Sequence, residues 1–347
     1  MIYVRSMSAA LLAAVLPAAQ LWAVDTVKTT SGNQVSGKVT IVTQSEVTIE
    51  ATGGKKQTFP TKDVDSIRYD DEPKELTAAR NLIKQGKHEQ AHEQLEKLDA
   101  SSIDRSEIKQ DIAFYKAVNA TRLAEMGNGS KMSAGKQLLA FERASDQSYH
   151  YFDACQTLGD LLVGMGKASQ AAGFYARLKK APWPEYKLRA EVLGGRALQK
   201  ENKHDAAMAK FDEVLAAKEQ GKGPDRERAA AMLGKAASLA ASGKNPEAIQ
   251  LVNQVIAKGE AEDVDLHARA YNVLGNCYLA TNQKKDALLA FLHVELLYPT
   301  ASEQHAEALY QLSTLWSQVE KTDRAAKARE ELLGKYPKST WAQKLAR

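Results

Sequence analysis

The sequence lacks the signatures of several common functional classes. Its two cysteines, Cys155 and Cys277, have a spacing that fits no metal-binding pattern. The net charge of +4 is spread along the chain without a basic block, which excludes the clustered cationic surface of a nucleic-acid-binding protein. No glycine-rich phosphate loop and no nucleophile-elbow motif occurs. Aromatic residues make up 7% of the chain while alanine and leucine recur, which favours close-packed helices over a sheet-dominated core.

The apolar run near the N-terminus is too short to span a bilayer. It covers residues 9–16, follows Arg5 and is broken by Pro17, and a plausible cleavage site lies after Ala23. These features predict a secretory signal peptide over residues 1–23, with an uncleaved anchor as the alternative. We therefore expect an exported protein, periplasmic or secreted, with no membrane span once the signal is removed.

Residues 24–72 alternate in hydrophobicity with the period of β-strands. Val35, Val39 and Ile41 lie at two-residue spacing across Gly37, and glycine-containing turn clusters separate the runs. Four or five short strands in such a segment can bury their apolar face only by curling into a small barrel or by packing on another part of the chain.

Residues 32–39, 59–60 and 64–67 together resemble a small barrel of the Sm-like or SH3-like kind. Sm-like barrels bind RNA, but an exported chain rarely meets RNA and this segment has no set of base-stacking aromatic residues. We therefore expect the β module to be a packing cap or a docking module.

From residue 73 onward the pattern is helical, and one short phrase recurs. A turn-forming Gly or Asn stands five positions before an alanine, as in the stretches from Gly86 to Ala91 and from Gly166 to Ala171. The alanines recur at intervals of 36 to 43 residues, and such a period predicts a solenoid of helix pairs. The recurring alanines are Ala91, Ala134, Ala171, Ala207, Ala248, Ala287 and Ala325.

Small and large residues at fixed distances from each turn give the repeat its physical basis. A small residue, such as Gly275, stands seven positions before the turn and lets the first helix of a pair approach the second closely. A large apolar residue, such as Phe291, stands four positions after the alanine, one helical turn on, and is predicted to fill the gap between neighbouring pairs. Pro299 follows the last turn of its helix, as a helix-ending proline should.

The sixth copy carries the fullest set of these packing residues. They are Leu274, Gly275, Tyr278, Ala287, Phe291 and Pro299. This set resembles the signature of the tetratricopeptide repeat (TPR), and copies in the same phase extend the resemblance over residues 73–345. It implies a mainly α fold, a TPR-type α-solenoid of about seven helix pairs preceded by the small antiparallel, barrel-like β module.

The TPR resemblance also implies a binding surface, because the first helix of each pair lines the concave face where partners of TPR proteins usually bind. Asn272 and Asn276 lie one turn apart and each offers a donor and an acceptor to an extended peptide. Arginines on the same face can receive carboxylates, and a merely solvated face is the alternative. The predicted partner-binding residues are Arg189, Arg196, Lys200, Arg269, Asn272, Asn276, Tyr310 and Gln311.

One motif suggests a metal. His88-Glu89-Gln90-Ala91-His92 reproduces the HExxH pattern, in which two histidines one turn apart hold Zn²⁺ and the glutamate deprotonates a bound water. The same residues belong to the first repeat turn, however, and no third ligand is evident, so we interpret the match as coincidence.

The sequence thus predicts a signal peptide over 1–23, a β module over 24–72 and a TPR solenoid over 73–347. We expect a non-catalytic scaffold without cofactor or bound metal that binds protein or peptide partners, and not nucleic acid, in the cell envelope. A self-assembling structural envelope protein, and hence a homo-oligomer, is one alternative, and a zinc metallopeptidase using His88, Glu89 and His92 is another. Both cysteines are predicted to be buried free thiols, because a solenoid separates their repeats too far for a bridge.

Overall fold

A five-stranded sheet precedes fifteen α-helices within residues 24–260 and 263–345, the part of the chain that a computed structural model describes. This order confirms the predicted mainly α fold with a small β module in front. The predicted signal peptide over residues 1–23 lies outside the described residues. Among the helices that are described, none is long and apolar enough to cross a membrane.

The strands form an antiparallel sheet in which β1 to β4 are a meander and β5 returns to pair with β1. They are β1 (Asp25–Thr29), β2 (Gln34–Val42), β3 (Glu46–Ala51), β4 (Lys56–Pro60) and β5 (Val64–Arg68), and their order across the sheet is β4-β3-β2-β1-β5. Val27, Val39 and Ile67 are buried. Ile41, which the alternating pattern places on the same face as Val39, is 45% exposed, and the register between β2 and β3 shifts between these two residues. A Cβ at Gly37 would lie 2.1 Å from the carbonyl oxygen of Glu50, so only glycine allows β2 and β3 to approach this closely here.

Seven helix pairs follow the sheet in the described residues. The pairs are α1 (Lys74–Lys84) with α2 (His88–Glu96), α3 (Ser106–Glu125) with α4 (Lys131–Ala144), α5 (Tyr151–Gly164) with α6 (Ala168–Tyr175), α7 (Pro184–Lys200) with α8 (His204–Ala216), α9 (Lys222–Ala241) with α10 (Asn245–Lys258), α11 (Val264–Ala280) with α12 (Lys284–Leu297), and α13 (Ser302–Gln318) with α14 (Thr322–Lys335). A short last helix, α15 (Thr340–Leu345), packs on the seventh pair.

Each first helix is followed by a turn that contains a residue in the left-handed backbone region. After α1, Gly86 has a φ of 73°, and the N–H of Lys87 donates to the carbonyl of Leu82 at 2.9 Å, which satisfies a carbonyl at the helix end. In the second pair this role falls to Gly127, not to Gly129 as the repeat phrase predicts. The residues with positive φ at these seven turns are Gly86, Gly127, Gly166, Asn202, Gly243, Asn282 and Glu320.

The small residues allow close helix approach within the pairs, as predicted, but the large residues pack there too and not only between neighbouring pairs as the sequence predicts. A Cβ at Gly195 would lie 2.6 Å from Cε1 of Phe211, and one at Gly159 would lie 2.3 Å from Cε1 of Tyr175. Both aromatic rings are buried, so they fill space that only a residue without a side chain leaves open.

Both cysteines are buried and free, as predicted. Burial raises the pKa of the Cys155 thiol to about 11 and that of the Cys277 thiol to about 11. Such thiols behave as small apolar core residues and are poor nucleophiles.

The buried face of the sheet shares one hydrophobic core with the first helix pairs. Val27, Ile49 and Ile67 belong to the same cluster as Leu76 of α1 and Ile112 of α3. The sheet therefore completes the core at the start of the solenoid, where the first pair has no preceding pair to pack against.

A buried ion pair fixes the sheet to the helices. The Asp25 carboxylate accepts hydrogen bonds from the Arg105 guanidinium at 2.8 and 2.9 Å and from the backbone N–H of Val39 at 2.8 Å. The same guanidinium lies 4.2 Å from the ring centre of Tyr69. Because Asp25 is 4% exposed, loss of the Arg105 guanidinium would leave a buried carboxylate without an ion-pair partner.

The solenoid curls back on itself. After the last turn of α14, the Lys338 ammonium donates to the carbonyl oxygen of Gly127 at 2.7 Å and to the side-chain oxygen of Asn128 at 2.8 Å. This contact joins the seventh pair to the turn of the second pair.

Candidate functional site

The first helices form the inner layer of the solenoid. Helix α7 packs on α9, α9 on α11 and α11 on α13, in addition to the contact that each makes with its own partner helix. We call the surface that these four helices expose the inner groove. The four helices carry all eight residues that the sequence predicts for partner binding, and seven of these are at least partly exposed, whereas Asn272 is 2% exposed.

Arg189 is engaged within the protein. Its Nε donates to the Glu227 carboxylate on α9 at 2.8 Å, and its guanidinium lies 4.7 Å from the ring centre of Tyr186. Although burial opposes its charge, Glu227 holds the pKa of Arg189 above its usual value. Arg189 therefore serves to join neighbouring pairs.

Asn272, Asn276 and Gln311 form one network with Glu307. The Asn276 amide donates to Glu307 at 2.9 Å and accepts from Gln311 at 3.1 Å. The Asn272 amide donates to the backbone carbonyl of Gln304 at 2.9 Å. These residues thus tie α11 to α13, and the two asparagine amide nitrogens are already committed to protein acceptors.

Glu307 is the member of this network that sequence reasoning missed. Burial raises the pKa of its carboxyl group, against the hydrogen bond from Asn276 and the more distant charge of Lys200. It lies one turn before Gln311 on the same face of α13, and that spacing is the signal that could have identified it.

Arg196 on α7 and Arg269 on α11 are different from Arg189. Both are half-buried, and neither forms a hydrogen bond or an ion pair with another residue of the described chain. The pKa of the Arg196 guanidinium is lowered to about 9, first by burial and then by the positive charge of Arg269, against the opposing charges of Glu227 and Asp160. The inner groove therefore holds two arginines that have no ion-pair partner within 4.0 Å among the described residues.

Lys200 and Tyr310 complete the predicted set. Lys200 ends α7 and is exposed. The Tyr310 ring packs against that of Trp341 with 5.4 Å between ring centres, and the Lys344 ammonium lies 4.0 Å from the centre of the Trp341 ring. Tyr310 is thus held by the last helix, at the C-terminal end of the inner groove.

The HExxH residues lie outside the inner groove, on the second helix of the first pair. His88 Nδ1 is 3.0 Å from the side-chain oxygen of Asn119, and Glu89 accepts a hydrogen bond from Asn128 at 2.7 Å. His92 is exposed. In residues 24–260 and 263–345, no three His, Cys, Asp or Glu side chains converge as metal ligands. The contacts give His88 and Glu89 a role in joining the first two pairs.

Solved structures that are similar to this chain in fold include the following two. A tetratricopeptide repeat protein from Parabacteroides merdae matches with a TM-score of 0.51 at 14% identity, over 78% of this chain and 95% of that one. A Rap protein complexed with Competence and Sporulation Factor matches with a TM-score of 0.53 at 13% identity, over 78% of each chain. No protein-family model and no curated protein matches the sequence. The likeness shows that the solenoid has the TPR-type fold, as the sequence predicts.

Proposed function

From this TPR-type fold, we propose that the chain is a non-catalytic scaffold of the cell envelope whose inner groove binds an extended segment of a protein or peptide carrying an acidic group. The envelope location rests on the signal peptide predicted for residues 1–23. A similarly folded Rap protein is complexed with Competence and Sporulation Factor, which supports ligand binding by an array of this shape.

The single observation that carries the proposal is the pair Arg196 and Arg269. Two guanidinium groups that are partly desolvated and close enough to repel raise the free energy of the unbound protein. An anion bound near both groups would offset the repulsion and accept charge-assisted hydrogen bonds. Glu227 and Asp160 act on Arg196 without forming an ion pair with it, whereas Glu227 lies 2.8 Å from Arg189. Arg196 and Arg269 are therefore the arginines of the inner groove that an acidic ligand would engage.

The positions of the cations along the inner groove favour an extended ligand. Arg196 and Lys200 lie on α7 and Arg269 lies on α11, so an extended segment can reach positive charges on more than one helix. Lys200 is exposed, and the two arginines are half-buried. Asn272 is 2% exposed and its side-chain oxygen is buried, so it is not among the groups that a ligand would contact directly.

The test uses the double variant Arg196→Met and Arg269→Met, which keeps the aliphatic stems and removes the charges. The control is Arg143→Met, which removes an exposed guanidinium from the second helix α4. Binding of a fluorescein-labelled glutamate-rich peptide and of its glutamine counterpart is measured by anisotropy at two salt concentrations. In-cell crosslinking of the tagged full chain identifies natural partners.

We expect the wild-type chain and the Arg143→Met control to bind the glutamate peptide more tightly than the glutamine peptide, with weaker binding at high salt. The double variant should lose that preference and the crosslinked partners while keeping or gaining thermal stability, because the mutual repulsion is gone. Equal binding by the double variant and the wild type would show that the ligand lies elsewhere.

A further inference from the structure

Helix α12 exposes a stripe of leucines. Leu289, Leu296 and Leu297 are 57%, 69% and 60% exposed, and Leu292 is half-buried between them. Residues 289, 292 and 296 follow the three- and four-residue spacing of one helix face. Four leucines on one face of one helix form a contiguous apolar surface and not a scatter of single residues.

The other six pairs do not need this stripe for packing. Counted from the recurring alanine, the positions equivalent to Leu289 hold charged, polar or small residues, and so do the positions equivalent to Leu296. The first set is Glu93, Lys136, Gly173, Ala209, Gln250 and Lys327, and the second is Ala100, Arg143, Lys180, Ala216, Ala257 and Gly334. Large apolar residues at the positions of Leu289 and Leu296 are thus specific to the sixth pair, and a contiguous apolar surface that the fold does not require marks an interaction site.

The arrangement of the stripe fits a second copy of itself. Leu289 and Leu296 are equally far from the midpoint between residues 292 and 293. An antiparallel pairing of two α12 helices about that midpoint places each Leu289 against Leu296 of the other copy. It places each Leu292 beside the two-fold axis, opposite the exposed His293 of the other copy. This geometry is self-complementary, as a two-fold interface requires.

Charge favours the same arrangement. Lys284 and Lys285 form the first turn of α12, where the helix dipole disfavours cations, and the last turn contains no basic residue. Both lysines are exposed and lack an ion pair with any residue of the described chain. An antiparallel pairing lays them beside the carbonyl end of the neighbouring α12, whereas a parallel pairing would place all four lysines together.

We propose that α12 is the centre of a two-fold interface between two copies of this chain, in which Leu289, Leu292, Leu296 and Leu297 are buried against the same residues of the second copy. The interface lies on a second helix and leaves the inner groove of each copy open. It does not depend on what the inner groove binds.

The experiment measures the mass of the full chain by analytical ultracentrifugation over a concentration series. The variants are Leu289→Glu, Leu296→Lys, the double variant that carries both changes, and Leu333→Glu as a control on α14, where a leucine is 41% exposed outside the stripe. Circular dichroism and thermal melting show that each variant is folded. Residues 289 and 296 are two turns apart, so a new ion pair in the double variant can form only between copies.

The wild type and the Leu333→Glu control should sediment as dimers, and each single stripe variant should weaken the dimer by at least about tenfold. The double variant should recover the dimer, because the carboxylate introduced at position 289 would then meet the ammonium introduced at position 296 of the other copy. A wild type that is monomeric at all concentrations overturns the proposal and assigns the stripe to a different partner. A dimer that the single variants leave intact overturns it as well, and failure of the double variant to recover overturns the antiparallel arrangement.

Discussion

Gly275 of α11 lies directly against the ring of Phe291 of α12. A Cβ built on Gly275 would stand 2.6 Å from Cζ of Phe291, a separation that no real pair of carbon atoms tolerates without movement. Phe291 is fully buried and cannot swing away. The glycine of the sixth repeat is therefore a packing requirement of the helix pair and not a point of flexibility.

Substitution of Gly275 by alanine should destabilise the protein by about 1–3 kcal/mol, because the added methyl group forces α11 and α12 apart. Urea denaturation followed by circular dichroism measures the change. The matched control is Gly334→Ala on α14, where an added Cβ meets nothing within 4 Å. That change should be neutral or stabilise by up to about 1 kcal/mol through helix propensity. Equal losses in both variants would contradict the packing role.

Replacement of Glu320 by glycine should stabilise the seventh pair. Glu320 has a φ of 58°, in the left-handed region where a side chain costs free energy and where most of the other turns have glycine. Relief of that strain outweighs the greater unfolded-state freedom of glycine, with an expected gain of about 0.5–1 kcal/mol in the free energy of unfolding. The reverse experiment, Gly243→Ala at a φ of 81°, should cost a similar amount. A stabilised Gly243→Ala variant would refute the argument.

Arg80 should be far more important to stability than Lys84, one turn later on α1. The Arg80 guanidinium donates to Glu72 at 2.8 Å and contacts Asp111, and all three side chains are buried. Arg80→Met leaves two buried carboxylates without their cation and should cost about 3–5 kcal/mol. Lys84→Met removes an exposed partner of Asp65 and should cost at most about 1 kcal/mol. The urea midpoints of the two variants test this order, and similar midpoints would contradict it.

Acidification should weaken the seventh pair through His305. Burial lowers the pKa of this imidazole, although Glu331 opposes the shift, and His305 Nδ1 lies 2.9 Å from the Tyr336 hydroxyl. The unfolded chain therefore takes up a proton first, and stability is lost as the pH falls from about 6.5 through the lowered pKa of the folded state. His305→Gln should remove this part of the pH dependence between about pH 7 and pH 5, measured as the free energy of unfolding. His92→Gln, at an exposed site, should leave it unchanged.

The fold is largely readable from the sequence because packing in a repeat imposes the same residue at the same place several times. The pairing of Gly195 with Phe211 and of Gly159 with Tyr175 repeats at one spacing, so each copy supports the others. The exceptions are turns whose backbone can be formed in more than one way. Gly127, two residues before the predicted Gly129, and Glu320, with a side chain in place of glycine, both adopt the left-handed conformation.

The candidate site is less readable, because spacing along a helix predicts a shared face and not the residue that approaches it from another helix. Arg189 and Glu227 are 38 positions apart, and Asn272 and Glu307 are 35 apart. Whether an arginine on this face forms an ion pair depends on whether a carboxylate of a neighbouring helix lies within reach. Arg196 and Arg189 look equivalent in the sequence, yet only Arg189 meets a carboxylate.

The contact of Lys338 with Gly127 and Asn128 has a consequence for how the protein can change in evolution. An open array tolerates a gained or lost repeat, because each pair needs only its neighbours. Here the two ends of a long stretch of chain must meet, so the number of pairs between them fixes whether they do. A copy inserted or deleted in that stretch would still fold pair by pair, but its ends would miss each other. The contact of Lys338 with Gly127 and Asn128 therefore allows natural selection to act on the number of repeats in the array.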